Sequence, residues 1–93
     1  MRRTLIQSAA FLRAARKYAK KHPQLLGTIR EALAQLHEDA FHPRLRTHKL
    51  KGDMADSWSA SAGYDLRIVF QLVQSEGAEA ILLLSIGTHD EVY

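Results

Sequence analysis

The sequence predicts an α+β domain in which two N-terminal helices pack on a small antiparallel β-sheet, with a short strand ahead of them. Three observations lead there. Apolar residues recur at three-and-four spacing as far as Ala40, Phe41-His42-Pro43 stops that pattern, and from residue 44 onward the period shortens to that of strands. With 93 residues there is room for one compact domain, 1–93, because cores of chains this short are already modest.

The elements follow in order. Residues 2–7 form a short strand, and Ser8 is placed to cap a helix rich in Ala, Leu, Arg and Lys that runs to Lys21. Its apolar side is Phe11, Leu12, Ala15, Tyr18 and Ala19, and Arg13, Arg16, Lys17, Lys20 and Lys21 recur on another side. Pro23 suits the first turn of a second helix, with Leu26, Ile29, Leu33, Leu36 and Ala40 as its buried stripe. The residue before Pro43 avoids helical angles, which ends the element. Strands are predicted near 58–61, over 66–73 and over 79–86, the last two as a hairpin turned through the polar stretch 74–77 with Gly77. In the first hairpin strand Ile68, Phe70 and Leu72 share one face, and Arg67, Val69 and Gln71 the other. The second is apolar on both faces and is expected to be central, with the helices over one face of the sheet and Arg67 projecting from the opposite one.

Charge is distributed unevenly. Residues 1–51 hold 12 Lys/Arg against 3 Asp/Glu, a net +9, whereas residues 52–93 hold 1 against 7, a net −6. A basic surface of this kind attracts polyanions, although a solvated helix face gives the same count. There is no cysteine, which removes disulfide frameworks and cysteine-based zinc sites. The longest apolar run, residues 80–84, is too short to span a bilayer, and Gln7, Ser8 and Arg13 interrupt any signal-peptide core after Arg2 and Arg3, so a cytoplasmic protein is expected. Membrane-surface binding by the first helix is disfavoured, since its apolar side is mostly alanine and is needed for the core.

Three segments collect the unusual polar residues: 48–52 (His-Lys-Leu-Lys-Gly), 64–67 (Tyr-Asp-Leu-Arg) and 87–93 (Gly-Thr-His-Asp-Glu-Val-Tyr). Metal-independent RNA cleavage needs such a set. The 2′-hydroxyl must lose a proton, the departing 5′-oxygen must gain one, and negative charge gathers on the phosphate between them. Histidine serves both proton transfers near neutral pH, and guanidinium serves the charge. By contrast, His22, His37 and His42 have neither metal-ligand spacing nor a motif, and are read as structural or surface residues.

The helical hairpin followed by RTHKLKGD, SWSASAGYDLRIVFQL and LLLSIGTHDEVY resembles the RelE/ParE toxin superfamily, and within it the YafQ-like mRNA interferase branch. The resemblance covers essentially the whole chain, with its specific motifs from residue 45 onward. It implies the toxin of a type II toxin–antitoxin system that cleaves mRNA at the ribosomal A site with neither metal nor cofactor, giving a 2′,3′-cyclic phosphate and a 5′-hydroxyl. The implied partner is a cognate antitoxin whose tail wraps the toxin, with operator DNA reached only through that antitoxin. Carried over by position, His48, Asp65 and His89 match the family's proton-transferring residues, Arg67 its phosphate-holding arginine, and Tyr93 its terminal aromatic that stacks on the nucleotide. Lys49 and Lys51 are expected to help hold the phosphate, and Arg13 and Lys17 to track RNA along the first helix.

Departures from the family pattern are specific. Ser61 stands where the branch carries a histidine, Leu66 where it carries an aromatic, and Ser59 and Ser61 where the RelE branch carries lysines. Proton transfer then falls to His48, Asp65 and His89, and weak activity is implied. Two rival readings share the fold: a ParE-like non-nuclease that binds a protein target such as DNA gyrase, and a degenerate member kept for antitoxin binding. For Arg67 the structural alternative is an ion pair with Asp65, and for Tyr93 it is packing of the C-terminus.

Overall fold

The computed structural model describes residues 2–63 and 65–93. Strand β1 (Leu5–Gln7) leads directly into α1 (Ala9–Lys21), because Ser8 leaves the strand in an extended conformation and its hydroxyl accepts the Phe11 N–H at 3.0 Å. That bond satisfies one of the free donors of the first turn. The helix ends at His22, where the chain meets Pro23 and passes through a separate 3-10 turn, Pro23–Leu25, before α2 (Leu26–Glu38). Pro23 therefore precedes the second α-helix instead of opening it. The buried stripe of α2 is Ile29, Ala32 and Leu36, continued by Ala40, while Leu26, expected on that stripe, is 37% exposed.

A second 3-10 turn, Pro43–Leu45, delivers the chain to β2 (His48–Lys49), and a third, Gly52–Met54, to β3 (Trp58–Ser61). The hairpin consists of β4 (Leu66–Ser75) and β5 (Ala78–Thr88), and a four-residue helix, α3 (His89–Val92), closes the chain. Ser75 pairs with Ala78 across two residues that both have positive φ, Glu76 at 52° and Gly77 at 80°. This is the turn twist that matches a right-handed hairpin, and it is the reason a glycine stands at position 77.

The five strands lie in the order β1-β5-β4-β3-β2. All neighbours are antiparallel except β1 and β5, which run parallel with Ile6 opposite Leu82, so the sheet is mixed and not purely antiparallel. β5 is interior, as its doubly apolar sequence requires, but β4 is the middle strand. Between Val69 and Phe70 the register slips: their partners are Ser85 and Leu83, and Leu84 is passed over. The extra residue reverses the alternation along β5, which lets Leu83 and Ile86 both face the helices.

The core lies between that face and the two long helices. Phe11, Ile29, Leu36, Ala40 and Leu45 pack against Ile68, Phe70, Ile81, Leu83 and Ile86. Burial of each large side chain contributes about 1.5–3 kcal/mol. With the helices packed on one face of the sheet, the other is left for polar chemistry. No helix among the described residues is long and apolar enough to cross a membrane.

Candidate active site

Strand register places the polar residues before any side-chain contact is considered. Residues directly opposite one another in an antiparallel pair project to the same face. His48 pairs with Ser59, Ser59 with Val69, and Val69 with Ser85. Two residues along, Ser61 pairs with Arg67, and Arg67 with Gly87. These two rows lie on the face turned away from α1 and α2.

At one end of this face is a cleft of ≈ 530 Å³ lined by Arg44, Arg46, His48, Ser61, Gly63 and Arg67. Arg67 donates from Nη1 to the Leu66 carbonyl at 3.2 Å and to Ser61 Oγ at 3.4 Å, and Ser61 donates to the Gly63 carbonyl at 3.1 Å. No ion pair joins Arg67 to Asp65 among the described residues. His48 Nδ1 lies 3.2 Å from the Arg46 carbonyl oxygen. A carbonyl can only accept, so Nδ1 carries the proton in the neutral ring and Nε2 is left with a free lone pair. His42 shows the reverse arrangement: its Nδ1 accepts the Arg44 N–H at 3.1 Å and caps the 3-10 turn. His37 bonds the Arg3 carbonyl at 2.8 Å, and His22 ends α1 beside the Tyr18 ring.

The C-terminal helix turns back beside this face. A Cβ on Gly87 would stand 3.1 Å from Glu91 Cβ and from Val92 Cγ1, so the absence of a side chain there admits α3. Tyr93 then donates its hydroxyl proton to Ser59, the fully buried residue paired with His48. His89 and Tyr93 stack edge-to-face with ring centroids 4.5 Å apart, and His89 stays exposed, with Nδ1 3.6 Å from the Asp90 carboxylate. It does not line the cleft.

The other end of α3 is tied to α1. The Tyr18 hydroxyl donates to the Glu91 carboxylate, which also accepts the Thr88 N–H at 3.0 Å. The Tyr18 bond, and after it the Thr88 donors, hold the Glu91 carboxyl down at about 2. A carboxyl depressed by folding stabilises the fold fully above its ordinary value of about 4.5, and that contribution is lost as pH falls toward about 2. Glu91→Gln should therefore lower stability at pH 7, and the gap to the unaltered protein should close between about pH 4.5 and 2. Paired urea melts across this range measure it; a gap independent of pH would mean that the tether does not act through its charge.

The sequence-predicted residues thus separate. His48 and Arg67 share the cleft, and Tyr93 reaches the row of His48, with His89 beside it. Asp65 is exposed and outside the cleft lining, and Tyr64 lies outside the described residues. Lys49, expected beside the phosphate, pairs with Trp58 and so projects to the opposite face, its Nζ 5.7 Å over the indole ring. Lys51 is exposed ahead of the third 3-10 turn, and Arg13 and Lys17 belong to the exposed stripe of α1. Arg44, Arg46 and Ser61 line the cleft without having been singled out as its ligands.

No family model matches the chain, and no curated protein does. Solved structures do. The YoeB/ParE toxin from Agrobacterium tumefaciens superposes with a TM-score of 0.76 at 17% identity, covering 92% of this chain and 98% of that one. YafQ from E. coli gives 0.78 at 15% identity over 98% of each chain. The E. coli DinJ-YafQ toxin-antitoxin complex gives 0.76 at 16% identity, covering 100% of this chain and 99% of that one. At such identities the likeness is one of fold: two helices on a five-stranded mixed sheet, as in these toxins.

Proposed function

We propose that this chain is the toxin of a toxin–antitoxin pair and acts as a metal-independent endoribonuclease on mRNA in the ribosomal A site. The observation that carries the reading is the cleft in which His48 and Arg67 meet on the open face of the sheet. His48, with its free lone pair at Nε2, withdraws the proton of a 2′-hydroxyl, and the oxygen attacks the adjacent phosphorus. Arg67 holds the charge that gathers on the phosphate. The P–O5′ bond then breaks, and His89 delivers a proton to the leaving oxygen, giving a 2′,3′-cyclic phosphate and a 5′-hydroxyl. Tyr93 stacks on a base and aligns the two oxygens. Asp65, exposed and outside the cleft lining, takes no step in this scheme.

Primer extension on mRNA after induction tests it. The unaltered chain should produce discrete cuts, and His89→Ala should weaken them by about 10²-fold or more, the contribution of a lost general acid. Equal cutting by both would remove His89 from the mechanism; no cutting by either would favour a protein target over RNA. The antitoxin part of the reading draws support from the likeness to the DinJ-YafQ complex. In gel filtration with the neighbouring gene's product, a single shared peak at micromolar concentration is the expected result.

A further inference from the structure

The cleft holds more positive charge than one phosphate requires. Arg44, Arg46 and Arg67 all line it, and no carboxylate is among its lining residues. The ion pairs found among the described residues involve Arg2, Arg3 and His89, so the three cleft guanidiniums have no carboxylate partner there. Arg44 also borders a neighbouring hollow of ≈ 590 Å³ that Glu31 and Glu38 help to line, yet forms no ion pair with either. Like charges gathered in one concavity repel one another, and an anion between them relieves that repulsion.

The backbone holds the pair in place. Arg44 and Arg46 flank Leu45, which is 3% exposed and pins the 3-10 turn to the core. Pro43 opens the turn, and Arg46 closes it in the left-handed conformation at φ 49°, which L-residues adopt at a cost. The Arg46 carbonyl is also the group that orients His48. At ≈ 530 Å³ the cleft far exceeds the ~30 Å³ share of one water molecule, leaving room for a nucleotide-sized segment.

We propose that Arg44 and Arg46 form a second anion subsite that holds the phosphate next to the one at Arg67, so that the cleft grips consecutive phosphates of single-stranded RNA. The inference rests on the RNA reading of the same site for the identity of its ligand. The Arg67 subsite takes the phosphate to be cut, and the arginine pair takes its neighbour and fixes where along the strand the cut falls.

The test uses 2′-O-methylated oligoribonucleotides, which cannot be cleaved through the 2′-oxygen, with fluorescence anisotropy at several salt concentrations. For single strands each phosphate contact contributes about 0.7 to the slope of log affinity against log salt. Changing Arg44→Gln and Arg46→Gln together should lower that slope by about 0.7 on a pentanucleotide, the share of the one phosphate the pair holds, and leave binding of a dinucleotide, with its single phosphodiester, unchanged. Arg46→Gly, which suits the left-handed backbone, should melt no lower than the unaltered protein and still lower the slope on the pentanucleotide. An unchanged slope on the pentanucleotide, equal loss on both probes, or no binding by the unaltered chain would overturn the proposal. So would a hepta-glutamate peptide bound with the slope of the RNA. Cleavage of unmethylated mRNA is scored separately: the expected slopes without cleavage keep the subsite and defeat the nuclease reading, whereas cleavage with an unaltered slope defeats the subsite alone.

Discussion

Replacing Arg67 with alanine is expected to slow RNA cleavage by about 10²–10³-fold, the usual loss when one preorganised donor is removed from a developing oxyanion. The side chain sits on β4, the middle strand, so its base is held by ladders on both sides, and its head reaches the cleft through bonds of 3.2 and 3.4 Å to Leu66 and Ser61. Neither is a strong bond, and no carboxylate among the described residues pairs with the guanidinium. The group is thus positioned but not consumed by the fold. Stability should change by about 1 kcal/mol or less, since no buried charge is orphaned. Arg67→Lys keeps the charge and loses the planar fork, and should recover only part of the rate. The measurement is single-turnover cleavage of ribosome-bound mRNA alongside a thermal melt. Full activity in Arg67→Ala would show that the cleft does not bind the reacting phosphate.

How far the sequence could be read depended on how local each signal was. The helices carried their own evidence in Ser8, in the three-and-four spacing and in the Pro23 and Pro43 stops. The hairpin carried its own in alternation and in Gly77, and these elements agree with the structure to within a few residues. The parallel pairing of β1 with β5 has no local signal, because the strands lie more than seventy residues apart in sequence. The register slip at Leu84 is equally silent, since a run apolar on both faces reads the same in either phase. α3 did leave a trace, the Thr-x-x-Glu spacing of Thr88 and Glu91 that marks a helix start, but four residues are too few for periodicity.

The placement of the candidate residues was legible only where it followed from strand alternation. Arg67 on a strand whose alternate residues are apolar had to face away from the helices, and it does. His48 and Lys49 were grouped as neighbours in one basic segment, but a two-residue strand sends adjacent side chains to opposite faces and divides them. Arg44 and Arg46 escaped notice because a 3-10 turn is invisible to pattern reading. Only the fold brings that turn alongside β3 and β4.

His48→Ala should be the most damaging change of all, with a loss of about 10²–10⁴-fold, the range for removing a positioned general base. The argument rests on its tautomer. The Arg46 carbonyl accepts from Nδ1, which directs the basic Nε2 outward, and the ring stands exposed on an edge strand where a 2′-hydroxyl can approach it. A structural role for His48 would predict a loss of stability, yet an exposed ring with one 3.2 Å bond contributes little, so the variant should melt with the unaltered protein. Because the vacated space opens to solvent, free imidazole should restore part of the rate in His48→Ala and none in Arg67→Ala, where charge and not a proton acceptor is missing. Rescue of both variants, or of neither, would mean that the histidine does not accept the proton and that the chemistry of the cleft lies with another group.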